Sequence, residues 1–157
     1  MDNQQLIIGI VRFLHQFFTV VWIGGLSFMV LTLVPTLKNE FGKTPQTQNL
    51  MKVITRKHRV WVYVSIVGLF ITGMVLGKAS GDFLGLMSFE NLYSSLTAVK
   101  HILIFAMIII AIFRSTVFGK QDIKLTPKQN KVSMLLLIIN FILGLLVLLL
   151  SSLAASI

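Results

Sequence analysis

The chain has 157 residues, 55% of them hydrophobic and only 12% charged, with a formal net charge of +9. A soluble domain carries about twice that charged fraction, so a soluble fold is excluded, and the length allows a single domain over residues 1–157. With no cysteine, a disulfide framework, a zinc–thiolate site, an iron–sulfur cluster and a thiol nucleophile are excluded as well.

Crossing a hydrocarbon core takes ~20 residues of apolar helix, and four runs qualify. The first, residues 6–37, is longer than needed, so it must tilt or project beyond the membrane. It lacks a basic n-region and a small-residue cleavage site, so it reads as a membrane helix and not as a cleaved signal. The second run covers residues 60–76 and includes a GxxxG pattern at Gly73 and Gly77. The third covers residues 92–118. The fourth, residues 132–155, is the most uniformly apolar and carries Asn140 and Gly144 on one face. Small residues let helix backbones approach closely in lipid. The expected fold is an all-α integral membrane protein, a bundle of four transmembrane helices.

The basic residues set its orientation. Lys38, Lys43, Lys52, Arg56, Lys57 and Arg59 separate the first run from the second, and Arg114, Lys120, Lys124, Lys128 and Lys131 separate the third from the fourth. The middle connection has Lys78 and Lys100 against Asp82 and Glu90. The positive-inside rule then places the two basic connections in the cytoplasm and both termini outside. Basic segments against anionic lipid account for most of the net charge without any nucleic acid. A multi-pass protein of a prokaryotic plasma membrane is the expectation.

Ionisable residues inside a membrane are costly, and each is a functional candidate. His15 lies nine residues into the first run and His101 nine residues into the third, ~13 Å from the outer end in both cases at 1.5 Å per residue. Two histidines at one depth on different helices can hold haem b between them, since histidine is an axial ligand to haem iron and bundle cores build cofactor sites from facing helices. Each can equally serve as a hydrogen-bonding partner between helices. Arg12, one turn nearer the outside than His15, and Lys100, next to His101, are cations for the propionates. Lys100 points about 100° away from His101 around the helix and can snorkel outward. Trp22, two turns below His15, is placed to floor such a pocket or to fill the core. His58, within Arg56-Lys57-His58-Arg59, reads as a solvated interfacial residue or as one ligand to a second haem, which needs a further ligand such as Met29 or a partner subunit. Asp2, Glu40, Asp82, Glu90 and Asp122 all fall outside the apolar runs, which leaves little for a proton relay. Copper(I) favours thiolates and thioethers, but the seven methionines form no MxxM or Met-His pair and read as packing residues.

The stretch Leu14-His15-Gln16-Phe17-Phe18-Thr19-Val20-Val21-Trp22-Ile23-Gly24-Gly25-Leu26 resembles the first helix of the copper-resistance-protein-D-like (CopD-like) membrane family. It also resembles the small HemJ-type protoporphyrinogen oxidases. Arg56, Gly68-Leu69, Thr72-Gly73 and Lys100 extend the resemblance over most of the chain. It implies a four-helix bundle and, for the HemJ-type relatives, haem b with His15 as a ligand and a functional role for Lys100. A Pro-Arg pair that the HemJ-type pattern places soon after the tryptophan is missing here; Pro35 comes much later.

The expected function is a haem-b-binding membrane protein that transfers electrons to or from a quinone or a redox partner protein, alone, as an oligomer, or as a subunit of a larger complex. The alternatives are a HemJ-type porphyrinogen oxidase, a CopD-like copper transporter, and a structural subunit without cofactor.

Overall fold

The computed structural model describes residues 2–42, 44–79, 89, 91–119 and 126–156. Lys43, Asp82, Glu90, Lys120, Asp122 and Lys124, counted above for orientation, lie outside the described residues. Four helices are long and apolar enough to cross a membrane: α1 Asn3–Phe41, α2 Pro45–Ala79, α3 Leu92–Phe118 and α4 Pro127–Ala154.

Two of these helices start well before the apolar run that marks them, α2 at Pro45 and α4 at Pro127. Hydropathy locates the membrane crossing, whereas caps and helix-breaking residues decide where a helix starts. Thr44 Oγ1 accepts from Thr47 N–H at 3.2 Å, and Pro45 follows at the first helical position, where a missing N–H costs nothing. Thr126 and Gln129 form a reciprocal box: Gln129 N–H donates to Thr126 Oγ1 at 3.2 Å, and Thr126 N–H donates to Gln129 Oε1 at 2.9 Å. In α3 the Asn91 side chain accepts from Ser94 N–H at 2.6 Å, which agrees with the expected start at residue 92. As a result Lys38 lies in α1, and Lys52, Arg56, Lys57 and Arg59 lie in α2. The described residues of the first basic connection are therefore helical almost throughout, apart from Gly42 and Thr44.

α1 packs antiparallel along α2, α3 along α4, and α4 also lies against the middle of α1. Trp22, Leu26 and Met29 of α1, Val62 of α2, Met107 of α3, and Leu137 and Val147 of α4 form the core. Asn140 and Gly144 are both buried, as expected from their shared face. A Cβ on Gly144 would stand 3.2 Å from Ile23 Cγ2 and 3.4 Å from Met107 Cε, so glycine is what lets α4 close on both neighbours. Phe13, Val20, Phe70, Ile109 and Leu149 are exposed on the outside of the bundle. An apolar exterior of this kind is stable only against lipid, and the chain is a multi-pass membrane protein.

The bundle has a terminal end, holding Asn3, Ala79, Leu92 and Ala154, and a basic end, holding the other helix termini. Three π-helical turns interrupt the α-helices: Val20–Gly24 and Met29–Leu33 in α1, and Arg114–Phe118 in α3. The second immediately precedes Pro35, which has no N–H for the carbonyl one turn back and whose ring crowds that carbonyl. α2 and α3 show little close backbone packing among the described residues. A side chain bridges them near the basic end, where Arg59 Nη1 donates to Ser115 Oγ at 2.9 Å and to Ser115 O at 3.2 Å.

Candidate functional site

His15 and His101 lie toward the terminal end on different helices, and each is half-buried. His15 Nδ1 is 2.8 Å from Thr72 Oγ1 of α2. The single hydroxyl proton of Thr72 is engaged with Gly68 O at 2.7 Å, so the imidazole must be the donor in the first bond. His101 Nδ1 is 2.7 Å from Thr97 O, one turn back in α3. A carbonyl only accepts, so here too Nδ1 carries the proton. In both neutral rings the lone pair is thereby left on Nε2, with the ring orientation fixed from behind. Metal-binding histidines are held in this way, through an acceptor on the other nitrogen.

The two imidazoles lie within electrostatic reach of one another, and Lys100 lies within reach of both. Lys100 is half-buried. Gly73 completes the wall: a Cβ there would stand 3.6 Å from His15 Cε1. Thr97 Oγ1 is buried with no hydrogen-bond partner, a further polar atom beside the His101 bond. Arg12 is exposed one turn beyond His15. No cluster of three or more His, Cys, Asp or Glu occurs among the described residues, so they offer no cage made of protein ligands alone. Two imidazoles with free Nε2 atoms suit haem b, because the porphyrin supplies the other ligands to the iron.

Trp22 is buried two turns away and belongs to a different space. A cavity of about 1130 Å³ opens at the basic end, and Trp22 lines it, whereas His15 and His101 do not. His58 lines it as well. His58, expected as a solvated interfacial residue or as one ligand to a second haem, is half-buried in α2 with its ring packed directly against Gly25 of α1, where a Cβ would collide with it. Its Nε2 is buried without a partner. The sequence places no second histidine beside it, and Met29 lines the same cavity.

Two further cavity residues escaped the sequence reading as site residues. Arg114, counted there among the charges of a connection, belongs to α3, lines the cavity half-buried and has a buried Nε without a partner. Its position inside an apolar helix was the available signal. Asn140, read as a helix-contact residue, also lines the cavity, and its Oδ1 is unpartnered. Each of the three π-helical turns contributes to this lining: Trp22 from the first, Met29 from the second and Arg114 from the third. Such turns often mark functional sites, because they rotate side chains off the regular helical face.

No protein-family model, curated protein or solved structure matches this chain.

Proposed function

We propose that the protein is a haem-b-binding electron-transfer protein of a prokaryotic plasma membrane, with His15 and His101 as the axial ligands. The observation that carries this reading is the matched pair of imidazoles, each bonded through Nδ1 and each leaving Nε2 free. Haem b, when bound, supplies a one-electron carrier whose two axial positions are filled by these residues. Thr72 Oγ1 and Thr97 O hold the rings in the ligating tautomer. Lys100 sets a positive charge beside the pair to offset carboxylate charge, and Arg12 offers a second cation toward the membrane surface.

Electrons pass to or from a quinone or a partner protein, because the connections between the apolar runs are too short in sequence for a substrate domain. The basic end faces the cytoplasm and both termini lie outside, in keeping with the positive-inside rule. The resemblance of residues 14–26 and of Lys100 to HemJ-type proteins supports the same cofactor.

The test is the visible spectrum of the detergent-purified protein, oxidised and dithionite-reduced, with His15→Ala and His101→Ala alongside. Sharp reduced bands of a six-coordinate haem b, weakened in each variant, are expected. Bands that survive His101→Ala would sink the pairing while keeping the haem. A colourless wild type after haem supplementation would end the reading and favour copper transport or a structural role.

A further inference from the structure

The cavity at the basic end plays no part in the electron-transfer reading, and its chemistry is of another kind. Lys38, Arg56, Arg59, Arg114 and Lys131 line it, and no described Asp or Glu does. A one-signed lining of this kind selects an anion.

The buried polar atoms narrow the choice. Trp22 is 2% exposed and Asn140 1% exposed, and both line the cavity with a polar atom that has no partner. His58 Nε2 and Arg114 Nε are in the same state. Leaving such groups unpaired costs about 1–3 kcal/mol each, so the cavity is built for an occupant. Indole and guanidinium N–H groups only donate, so the occupant must present acceptor oxygens to Trp22 and Arg114, whereas Asn140 Oδ1 only accepts and calls for a donor.

Those oxygens are needed at two depths. Arg59 reaches Ser115 close to the end of α3, and Arg114 lies beside Ser115 in sequence, so one group of donors sits near the basic end. Trp22 precedes Gly25, on which His58 rests, by three residues, or roughly 4–5 Å further into the bundle at 1.5 Å per residue. The apolar side chains of Leu26, Val62 and Leu137 line the same cavity.

We propose that this cavity binds an anionic glycerophospholipid from the surrounding leaflet. Its phosphate meets Arg114, Arg59 and His58. Its ester carbonyl oxygens, one step closer to the acyl chains, accept from Trp22 Nε1–H. An acyl chain follows the apolar wall. Free phosphate satisfies the first depth only. The volume of about 1130 Å³ lies above the ~300–1,000 Å³ usual for small-ligand pockets. The seam between α2 and α3, bridged by Arg59 and with little close backbone packing among the described residues, gives a lipid a way in from the side. Basic pockets between transmembrane helices hold acidic headgroups by the same physics.

The experiment is lipid binding to the full-length, delipidated protein in detergent, read by native mass spectrometry and by thermal unfolding. Phosphatidylglycerol, phosphatidylcholine and inorganic phosphate are the three probes. Phosphatidylglycerol alone is expected to be retained and to raise Tm. Arg114→Gln is expected to weaken it about ten-fold, the size of one charge-assisted hydrogen bond. Trp22→Phe is expected to weaken it about five-fold, the size of one neutral hydrogen bond. Helicity and any haem spectrum should be unchanged in both. Equal retention of phosphatidylcholine would overturn the proposal, as would inorganic phosphate reproducing the whole Tm shift. If Arg114→Gln does not fold, Trp22→Phe decides the matter, and unchanged phosphatidylglycerol affinity in that variant overturns the lipid assignment.

Discussion

The two ends of this bundle treat histidine in opposite ways. Toward the terminal end, His15 and His101 are each tied through Nδ1 to an acceptor of the protein, at 2.8 and 2.7 Å. At the basic end, His58 is pressed against Gly25 and its Nε2 is closed off without a partner. The first arrangement is finished on one side of the ring and open on the other, which is what a ligand to a cofactor needs. The second belongs to a group of unpaired polar atoms, with Trp22, Arg114 and Asn140, around a large space. A histidine in a membrane helix is therefore not one kind of feature. Its meaning depends on which nitrogen the protein has already engaged, and on what stands next to the other.

Four substitutions would break or sharpen this contrast. The largest effect is expected from Gly25→Leu. The new side chain would have to share its space with the His58 ring, and overpacking of this kind costs about 1–3 kcal/mol, occasionally more. A fall in Tm by circular dichroism in detergent, with the spectrum of bound haem kept in the fraction that remains folded, would show that the two ends are separable. Equal loss at both ends would join them.

Thr72→Val comes next. It removes the acceptor behind His15 while keeping the shape of the side chain, and losing an outer partner of this sort lowers metal-site affinity by about 10–100-fold. Haem titration of the variant checks it. Affinity equal to wild type would mean that the Thr72 bond does not prepare His15 for a ligand. Replacing Asn140 with Leu should act in the opposite direction at the other end. It removes an unpartnered buried amide oxygen, so the delipidated protein should gain about 1 kcal/mol in thermal unfolding. Stability that falls in the absence of lipid would show that Asn140 already has a partner within the bundle.

The smallest effect is expected from Ser115→Ala. Arg59 keeps its bond to the Ser115 carbonyl and loses the one to the hydroxyl, a change of about 0.5–1.5 kcal/mol. Its value is in location: a shift in lipid retention with no shift in the haem spectrum would place the α2–α3 bridge with the basic end alone.

Much of the fold was legible in the chain. Each of the four apolar runs lies within a membrane-length helix, because hydrocarbon rewards long apolar segments and every backbone polar group there must be satisfied within the helix. The helix starts were less legible. The polar residues 45–59 continue α2 for many turns, since a helix needs no apolar side chains once it is capped and outside the hydrocarbon. That His15 and His101 stand equally far along their apolar runs could be counted out from the rise per residue. Lys100 could not be placed that way, because its reach depends on how α3 is turned against α1. Arg114 was mistaken for a charge of the connection because it stands near the end of an apolar run, and only the packing shows that it lines the cavity.

The sequence by itself determined that this chain crosses a membrane, how many helices it offers to do so, and at what depth its histidines lie, because hydropathy and rise per residue act locally along one helix. The tertiary structure alone decided which nitrogen of each histidine is taken, where Gly25 makes room for His58, and how three π-helical turns converge with Asn140 on a single cavity. Those outcomes depend on rotation and spacing between helices, which close packing fixes and no single segment encodes.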